Sequence, residues 1–459
     1  MSYPLKRGAP FKSLLLIITK HISTLDYAAP LLWKIKQRCP DINVAVLYCA
    51  LNRKKILRGS RFYTELFHNC NIPEYDFADF LPSPFSYGRD VWRKLFLASD
   101  WDSSPLEEWL RWLRFDHTIA NRALALKRHL EIFLLNQVNP EITLGMLAPD
   151  VILLDHRTPG SKYSWSEYFE GYFIRSAKRV VLLPHGPHHM GPTAFMPFTE
   201  GGDPLPAFCD HWVPLICDRP WTNIPEKRAQ FAYVGYPGLD SDWLRWVRWG
   251  RNSLKASSGG RTNSRRPLKC LFIIRKFLKK GQSRPPGHDA FIYEHGEFAY
   301  YLNLVADALR QAPVAIELVV KPHPSNDFGS VKEVFLTSNI PHWSVTNDSI
   351  YAELHQCDFV ISLYSTTLLI PAMAGIPVIL LHSRIQDEIQ QWDELKELYT
   401  RLHFYLEKPE GLAVQLKEVI KIVSEGRPVS EEAWNEDVRH LRHFYPDGAM
   451  QRCLDRLGL

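Results

Sequence analysis

Two short polar stretches in the C-terminal half carry the residue types of phosphate chemistry. Lys321-Pro322-His323-Pro324-Ser325 closes the apolar run at 314–320, and Ser365-Thr366-Thr367 closes the run at 359–363. Proline on both sides fixes the backbone around His323 and removes two N–H donors, so the imidazole is presented from a rigid turn. An imidazole there binds a phosphate oxygen, or protonates it as it departs. Lys321 is a second phosphate ligand or a surface charge. Three hydroxyl residues opening a helix exceed what capping requires, although a cap explains any one of them and Thr367 packs as readily. The N–H groups of a helix start attract anions. Arg275 and Lys276 follow a further apolar run, 268–274, and one of the two suits a diphosphate leaving group.

The N-terminal half supplies candidates for a base. Asp155 ends the run at 150–155, with His156 and Arg157 after it. His185 ends the run at 180–184, and Gly186 permits a close turn. A histidine near neutral pKa takes a proton from an acceptor hydroxyl, and Asp155 and His156 compete for the same task. His185, His188 and His189 are too loosely spaced for a metal site and lack a carboxylate motif, so no metal is expected.

These residues need a scaffold that brings strand ends to one edge. Apolar strand-type runs at 13–19, 42–49, 150–155, 180–184, 209–216 and 231–234 alternate with helical stretches, the first at 25–38 with Thr24 as its cap. The same alternation restarts at 268–274 and continues through 298–312, 314–320, 359–363 and 378–381. Alternation of this kind predicts parallel α/β sheets. Ligands of such sheets bind at the carboxyl ends of the strands. The stretch at 60–105 gives no clear pattern, and 106–138 is strongly helical.

The Lys-Pro-His-Pro and Ser-Thr-Thr pair resembles motifs of the GT-B-type transferases that build bacterial surface polymers. That group includes CDP-glycerol glycerophosphotransferases, capsule Kdo transferases and bacterial sialyltransferases. The resemblance is strongest over residues 314–382. It extends to Leu183-Pro184-His185-Gly186 and to Val234-Gly235-Tyr236-Pro237-Gly238-Leu239-Asp240. It implies an α/β fold of the GT-B kind: two Rossmann-like domains facing across a cleft, with a helical C-terminal tail. It implies a glycosyltransferase using a nucleotide-activated sugar, CMP-linked among the options, and a capsule or other surface-glycan acceptor, lipid-linked in some cases. A glycerophosphotransferase with an activated polyol donor and a non-catalytic glycan-binding protein are the alternatives. The donor is a substrate, so no resident cofactor is implied. Many members place a glutamate on the helix after the hydroxyl cluster to hold the ribose; the nearest position here is Pro371.

Composition bounds the rest. A chain of 459 residues exceeds what one core normally serves. The expected organisation is an acceptor-side domain at 1–249, a Gly/Ser/Arg-rich linker at 250–267, a donor domain at 268–425, and a tail at 426–459 that crosses back. The eight cysteines are scattered without a Cys-x-x-Cys pair, which reads as buried thiols. No secretory signal is evident, and the uncharged stretch at 359–381 reads as strand–helix–strand, interrupted by prolines and glycine, rather than a membrane span. A cytoplasmic location is expected. Net charge is +5, yet 243–288 holds thirteen Lys/Arg and no Asp/Glu. Trp243, Arg245, Trp246, Arg248, Trp249 and Arg251 interleave aromatic and basic groups. That pattern suits a helix packed into the core, or one lying on an anionic membrane at the inner face of the cytoplasmic membrane. No nucleic-acid motif accompanies the charge.

Overall fold

The computed structural model describes residues 11–18, 24–48, 60–76, 149–154, 178–184, 209–213, 231–250, 266–282, 292–323, 326, 328–338, 340, 342–385, 393–424 and 431–459. Asp155, His156, His185, His188, His189 and Arg251 lie outside them. The chain forms two compact units, Met1–Gly238 with Gly448–Leu459, and Leu239–Asp447.

The first unit is built on a parallel sheet of seven strands: β1 (Ser13–Ile18), β2 (Asn43–Tyr48), β3 (Glu74–Asp76), β4 (Val151–Leu154), β5 (Arg179–Leu182), β6 (Cys209–Val213) and β7 (Phe231–Tyr233). Their spatial order is β3-β2-β1-β4-β5-β6-β7. The chain winds outward from β1, then returns to start again beside it, which is the doubly wound order with its switch between β1 and β4. Leu14 to Ile18 and Val151 to Leu154 are all buried. Continuous apolar runs are what a strand covered on both faces requires. Helix α1 (Thr24–Arg38) is largely buried and packs against α2 (Arg61–Asn69), which follows β2, and against the last helix of the chain. Thr24 does not act as the expected cap. Thr24 is the first described residue of the helix, and its buried hydroxyl has no hydrogen-bond partner.

The Val234-Gly235-Tyr236 stretch after β7 seats the C-terminal helix (Ala449–Leu457). Gly235 has φ +87°, and a Cβ there would come within 2.9 Å of the Ala449 Cβ and 2.8 Å of an Arg452 guanidinium nitrogen. Arg452 Nε donates to the Val234 carbonyl at 3.0 Å. Tyr27 of α1 meets Tyr236 edge to face at 5.2 Å, and its hydroxyl lies 3.6 Å from Cys453.

The second unit repeats the plan with six parallel strands: β8 (Leu268–Ile273), β9 (Ile316–Lys321), β10 (Trp343–Val345), β11 (Phe359–Ser362), β12 (Val378–Leu381) and β13 (Tyr405–Leu406), in the order β10-β9-β8-β11-β12-β13. The switch falls between β8 and β11. Its helices are α3 (Ser241–Arg245), α4 (His295–Arg310), α5 (Phe328–Leu336), α6 (Ile350–Glu353), α7 (Leu369–Met373), α8 (Asp393–Thr400), α9 (Leu412–Ser424) and α10 (Glu431–Phe444). The two sheets share a registering device. Asp150, just before β4, accepts the Lys12 and Ser13 N–H groups at 2.8 and 3.1 Å. Asp358, just before β11, accepts the Lys269 N–H at 2.8 Å. Each carboxylate therefore sets the register of the strand pair at its own switch. Burial pushes the Asp150 carboxyl up, but bonds from Lys178, Lys12 and Ser13 outweigh it and hold the group below its ordinary value.

The tryptophan–arginine segment packs inside this unit. Trp243 is fully buried, stacks on Trp246 at 5.1 Å and meets Tyr351 of α6 edge-on at 5.3 Å. Arg248 donates to the carbonyls of Ala374 and Gly375, the latter at 2.7 Å, at the C-terminus of α7. A membrane-facing role is thereby corrected for Trp243 and Arg248: a tryptophan with no exposed surface has nothing to insert, and this guanidinium is bound to carbonyls. Arg245 is exposed, and of Trp249 only the backbone, in a π-helical turn at Trp246–Gly250, is described. Among the described residues, no helix is long and apolar enough to cross a membrane.

Candidate functional site

The candidate site lies at the carboxyl edge of the second sheet. Ile273 of β8 pairs with Lys321 of β9 and with Ser362 of β11, and Ser362 pairs with Leu380 of β12. The four central strands thus end level with one another. The residues beyond these four ends emerge at one edge: Arg275 and Lys276 after β8, Pro322 and His323 after β9, Leu363 to Thr367 after β11, and His382 to Arg384 after β12. This is the edge, at a switch point, where open α/β sheets take ligands.

The turn after β8 is not a glycine-rich dinucleotide loop, since Ile274-Arg275-Lys276-Phe277 fills it with side chains. The start of α4, the next helix along the chain, is closed to anions as well. Glu294 and Glu297 form a capping box there, each carboxylate taking an N–H of the first turn. Arg384 holds Glu297 further, at 3.1 Å. An anion at this edge must therefore be met by the cations after β8 and β9 and by the hydroxyl turn after β11.

Arg275 stands at the switch itself. Its terminal nitrogen donates to the Tyr364 carbonyl at 3.4 Å, and its guanidinium lies 5.3 Å from the centre of the Tyr364 ring. The cation is thus placed next to Ser365. Burial pushes the Tyr364 phenol up to about 12, with Arg275 pulling against it. Asn326 joins the neighbouring turns. Its amide donates to the Arg275 carbonyl at 3.1 Å and its side-chain oxygen accepts the Phe277 N–H at 3.3 Å, while its own N–H bonds the His323 carbonyl at 2.8 Å. One asparagine therefore ties the turn carrying His323 to the turn carrying Arg275. Lys321 is half-buried and His323 exposed, as a ligand-facing pair at a strand end must be.

Ser365 is extended, and its hydroxyl accepts the Thr367 N–H at 3.3 Å, so it caps the short turn Thr366–Leu368 that leads into α7. Thr366 and Thr367 are half-exposed at the same edge. Pro371 is buried in α7, where its carbonyl accepts the Ile376 N–H at 3.0 Å. Together with Gly375 at φ +88°, this closes the helix in a left-handed terminal turn. A proline in that place cannot act as a ribose-binding acid.

The structure brings together Arg275, Lys276, Lys321, His323, Ser365, Thr366 and Thr367 at one edge. Sequence reading missed Asn326 and Tyr364, and also the polar set after β12. There, His382 Nδ1 lies 2.6 Å from the Tyr405 hydroxyl, and Tyr293 donates to Ser383 at 2.7 Å. The signal for that set was available: each strand of a parallel sheet has a carboxyl end, and His382-Ser383-Arg384 follows one. Among the described residues, no group of three or more His, Cys, Asp or Glu is arranged to hold a metal.

No family model matches the chain, and no curated protein matches it. Solved structures do resemble it over nearly its whole length. One is a UDP-N-acetylglucosamine 2-epimerase, at 12% identity over 98% of this chain and 96% of that one, with a TM-score of 0.49. Another is a UDP-GlcNAc 2-epimerase from Neisseria meningitidis bound to UDP-GlcNAc, at 11% identity over 97% and 99%, TM-score 0.47. A third is a glycosyltransferase from Rickettsia africae ESF-5, at 9% identity over 97% and 98%, TM-score 0.44. Likeness at this level concerns the course of the chain and not its chemistry.

Proposed function

We propose that the second unit binds the phosphate groups of a nucleotide-activated donor, and that the protein is a transferase moving a sugar from that donor to a glycan acceptor. The observation that carries this is the convergence of Arg275, Lys321, His323 and the 365–367 turn on the level strand ends flanking one switch point. Cations and hydroxyls fixed in that way stabilise the charge that develops on a departing phosphate without reorganising during the step. Arg275 neutralises that charge, His323 donates a hydrogen bond or proton to the leaving oxygen, and the turn supplies N–H and hydroxyl donors. Deprotonation of the acceptor falls to the first unit, with His185 or Asp155 as the base. The missing ribose glutamate favours a donor other than the usual UDP- or GDP-sugar, with a CMP-linked sugar as the first choice. A surface polysaccharide is the proposed product.

A thermal-shift screen against CMP, CDP, UDP and GDP tests this reading. A nucleotide at one hundred times its dissociation constant stabilises a protein by ~2.7 kcal/mol. A response to CMP supports sugar transfer from a CMP-linked donor, and a response to CDP alone points to polyol-phosphate transfer. Silence with all four contradicts the proposal.

A further inference from the structure

Arg275 owes its place to a residue that forms no part of the usual phosphate vocabulary. Tyr364 is the second residue beyond β11 and is fully buried. Ile273 pairs with Ser362, so Arg275 and Tyr364 each stand two residues past one paired position of neighbouring strands. The Tyr364 carbonyl accepts a guanidinium N–H while its ring face lies against the same guanidinium. Tyr399 of α8 backs the ring edge-on at 5.0 Å. The phenol oxygen faces the Tyr399 hydroxyl, short of full hydrogen-bond geometry. Toward Arg275 the side chain presents its aromatic face.

A guanidinium on a flexible stem loses rotamer freedom when it is fixed on a ligand. A ring that holds it beforehand removes that cost from binding. We propose that Tyr364 is the positioning residue for Arg275, its ring and carbonyl together fixing the guanidinium beside the 365–367 turn so that a phosphate meets a cation already in place. This rests on the second unit being the nucleotide-phosphate site. It also accounts for an arginine in place of a lysine, since an ammonium has no planar face to stack.

Calorimetry with CMP, with CDP and with inorganic pyrophosphate tests it on the full chain. Wild type, Arg275→Ala, Arg275→Lys, Tyr364→Phe, Tyr364→Leu and the Arg275→Ala/Tyr364→Leu double variant are compared. Tyr364→Phe keeps the ring and is expected to bind within about twofold of wild type. Tyr364→Leu is expected to bind about 5–30-fold more weakly, from the upper end of an exposed cation–π contact to a desolvated one. In the Arg275→Ala background the same change has no further effect, which a merely structural role would not reproduce. Equal weakening by Tyr364→Leu in both backgrounds overturns the proposal, as does no weakening where Arg275→Ala weakens. Should Tyr364→Leu fail to fold, Arg275→Lys decides: full affinity would show that no planar stack is needed, and a loss close to that of Arg275→Ala supports the stack. No binding by wild type, or an Arg275→Ala variant of unchanged affinity, instead refutes the phosphate site on which the proposal stands.

Discussion

Gly235→Ala separates two contributions to the seating of the C-terminal helix. Gly235, Gly281 and Gly448 share almost the same φ, at +87°, +83° and +84°. A Cβ at Gly281 meets nothing within 4 Å, and one at Gly448 meets only an Arg452 nitrogen at 3.4 Å. At Gly235 it would sit 2.9 Å from the Ala449 Cβ, inside van der Waals contact. Left-handed backbone alone costs a non-glycine residue ~1–2 kcal/mol, which all three alanine variants incur. Overpacking adds ~1–3 kcal/mol, which only Gly235→Ala incurs. The expected destabilisation is thus about 2–5 kcal/mol at Gly235 and about 1–2 kcal/mol at Gly281. Urea denaturation gives the totals, and hydrogen exchange across Ala449–Leu457 shows whether the loss falls on that helix. The reasoning fails if Gly235→Ala costs no more than Gly281→Ala, or if exchange in the helix is unchanged.

Arg248→Ala is expected to cost ~2 kcal/mol, because it strips a half-buried charged donor from the Ala374 and Gly375 carbonyls; Arg245→Ala, at an exposed position, should stay within ~0.5 kcal/mol. Equal effects would show that the segment is not held by packing. Burial pushes the Asp437 carboxyl up to about 6, against a bond from the His403 N–H at 2.9 Å. The folded state then holds this proton more tightly than the unfolded chain, so stability is greatest below pH 4 and falls as pH rises through 6. His440 runs the other way: burial lowers its pKa, so its contribution is lost as pH falls from 6.5. Asp437→Asn keeps an acceptor for His403 and should raise stability at pH 7 by on the order of 1–2 kcal/mol, after allowing for solvent, with no gain at pH 4. An equal gain at both pH values would remove the carboxylate as the cause. In flotation with anionic vesicles at low salt, charge reversal at Arg245 is the change expected to reduce any binding, screened as salt rises; binding that survives it unchanged would move the contact elsewhere.

The parallel sheets were readable because their strands are covered on both faces, so runs such as those at 14–18 and 151–154 are apolar throughout. The level strand ends were readable for the same reason, once polar residues were seen to follow each run. The Trp243–Trp249 spacing was ambiguous: a helix burying aromatics in a core and one laying them on lipid have the same period. Only the Tyr351 ring and the α7 carbonyls decide it, and they lie far along the chain. Thr24 misled because a threonine before an apolar run reads as a cap wherever it stands. Asn326 and Tyr364 carry no signature, since their roles consist of contacts to Arg275 across neighbouring strands. Gly235 gave a sign, as a glycine at the end of an apolar run, but not the helix it accommodates.

Hydrogen exchange with and without bound nucleotide tests the central claim most directly. The nucleotide that gives the largest thermal shift is added at saturation, and exchange is followed along the whole chain. Protection is expected at residues 274–277 and 363–368, where the turns after β8 and β11 meet, and it should disappear in the Arg275→Ala variant at the same nucleotide concentration. Protection confined to the first unit, with 274–277 and 363–368 unchanged, would contradict the account.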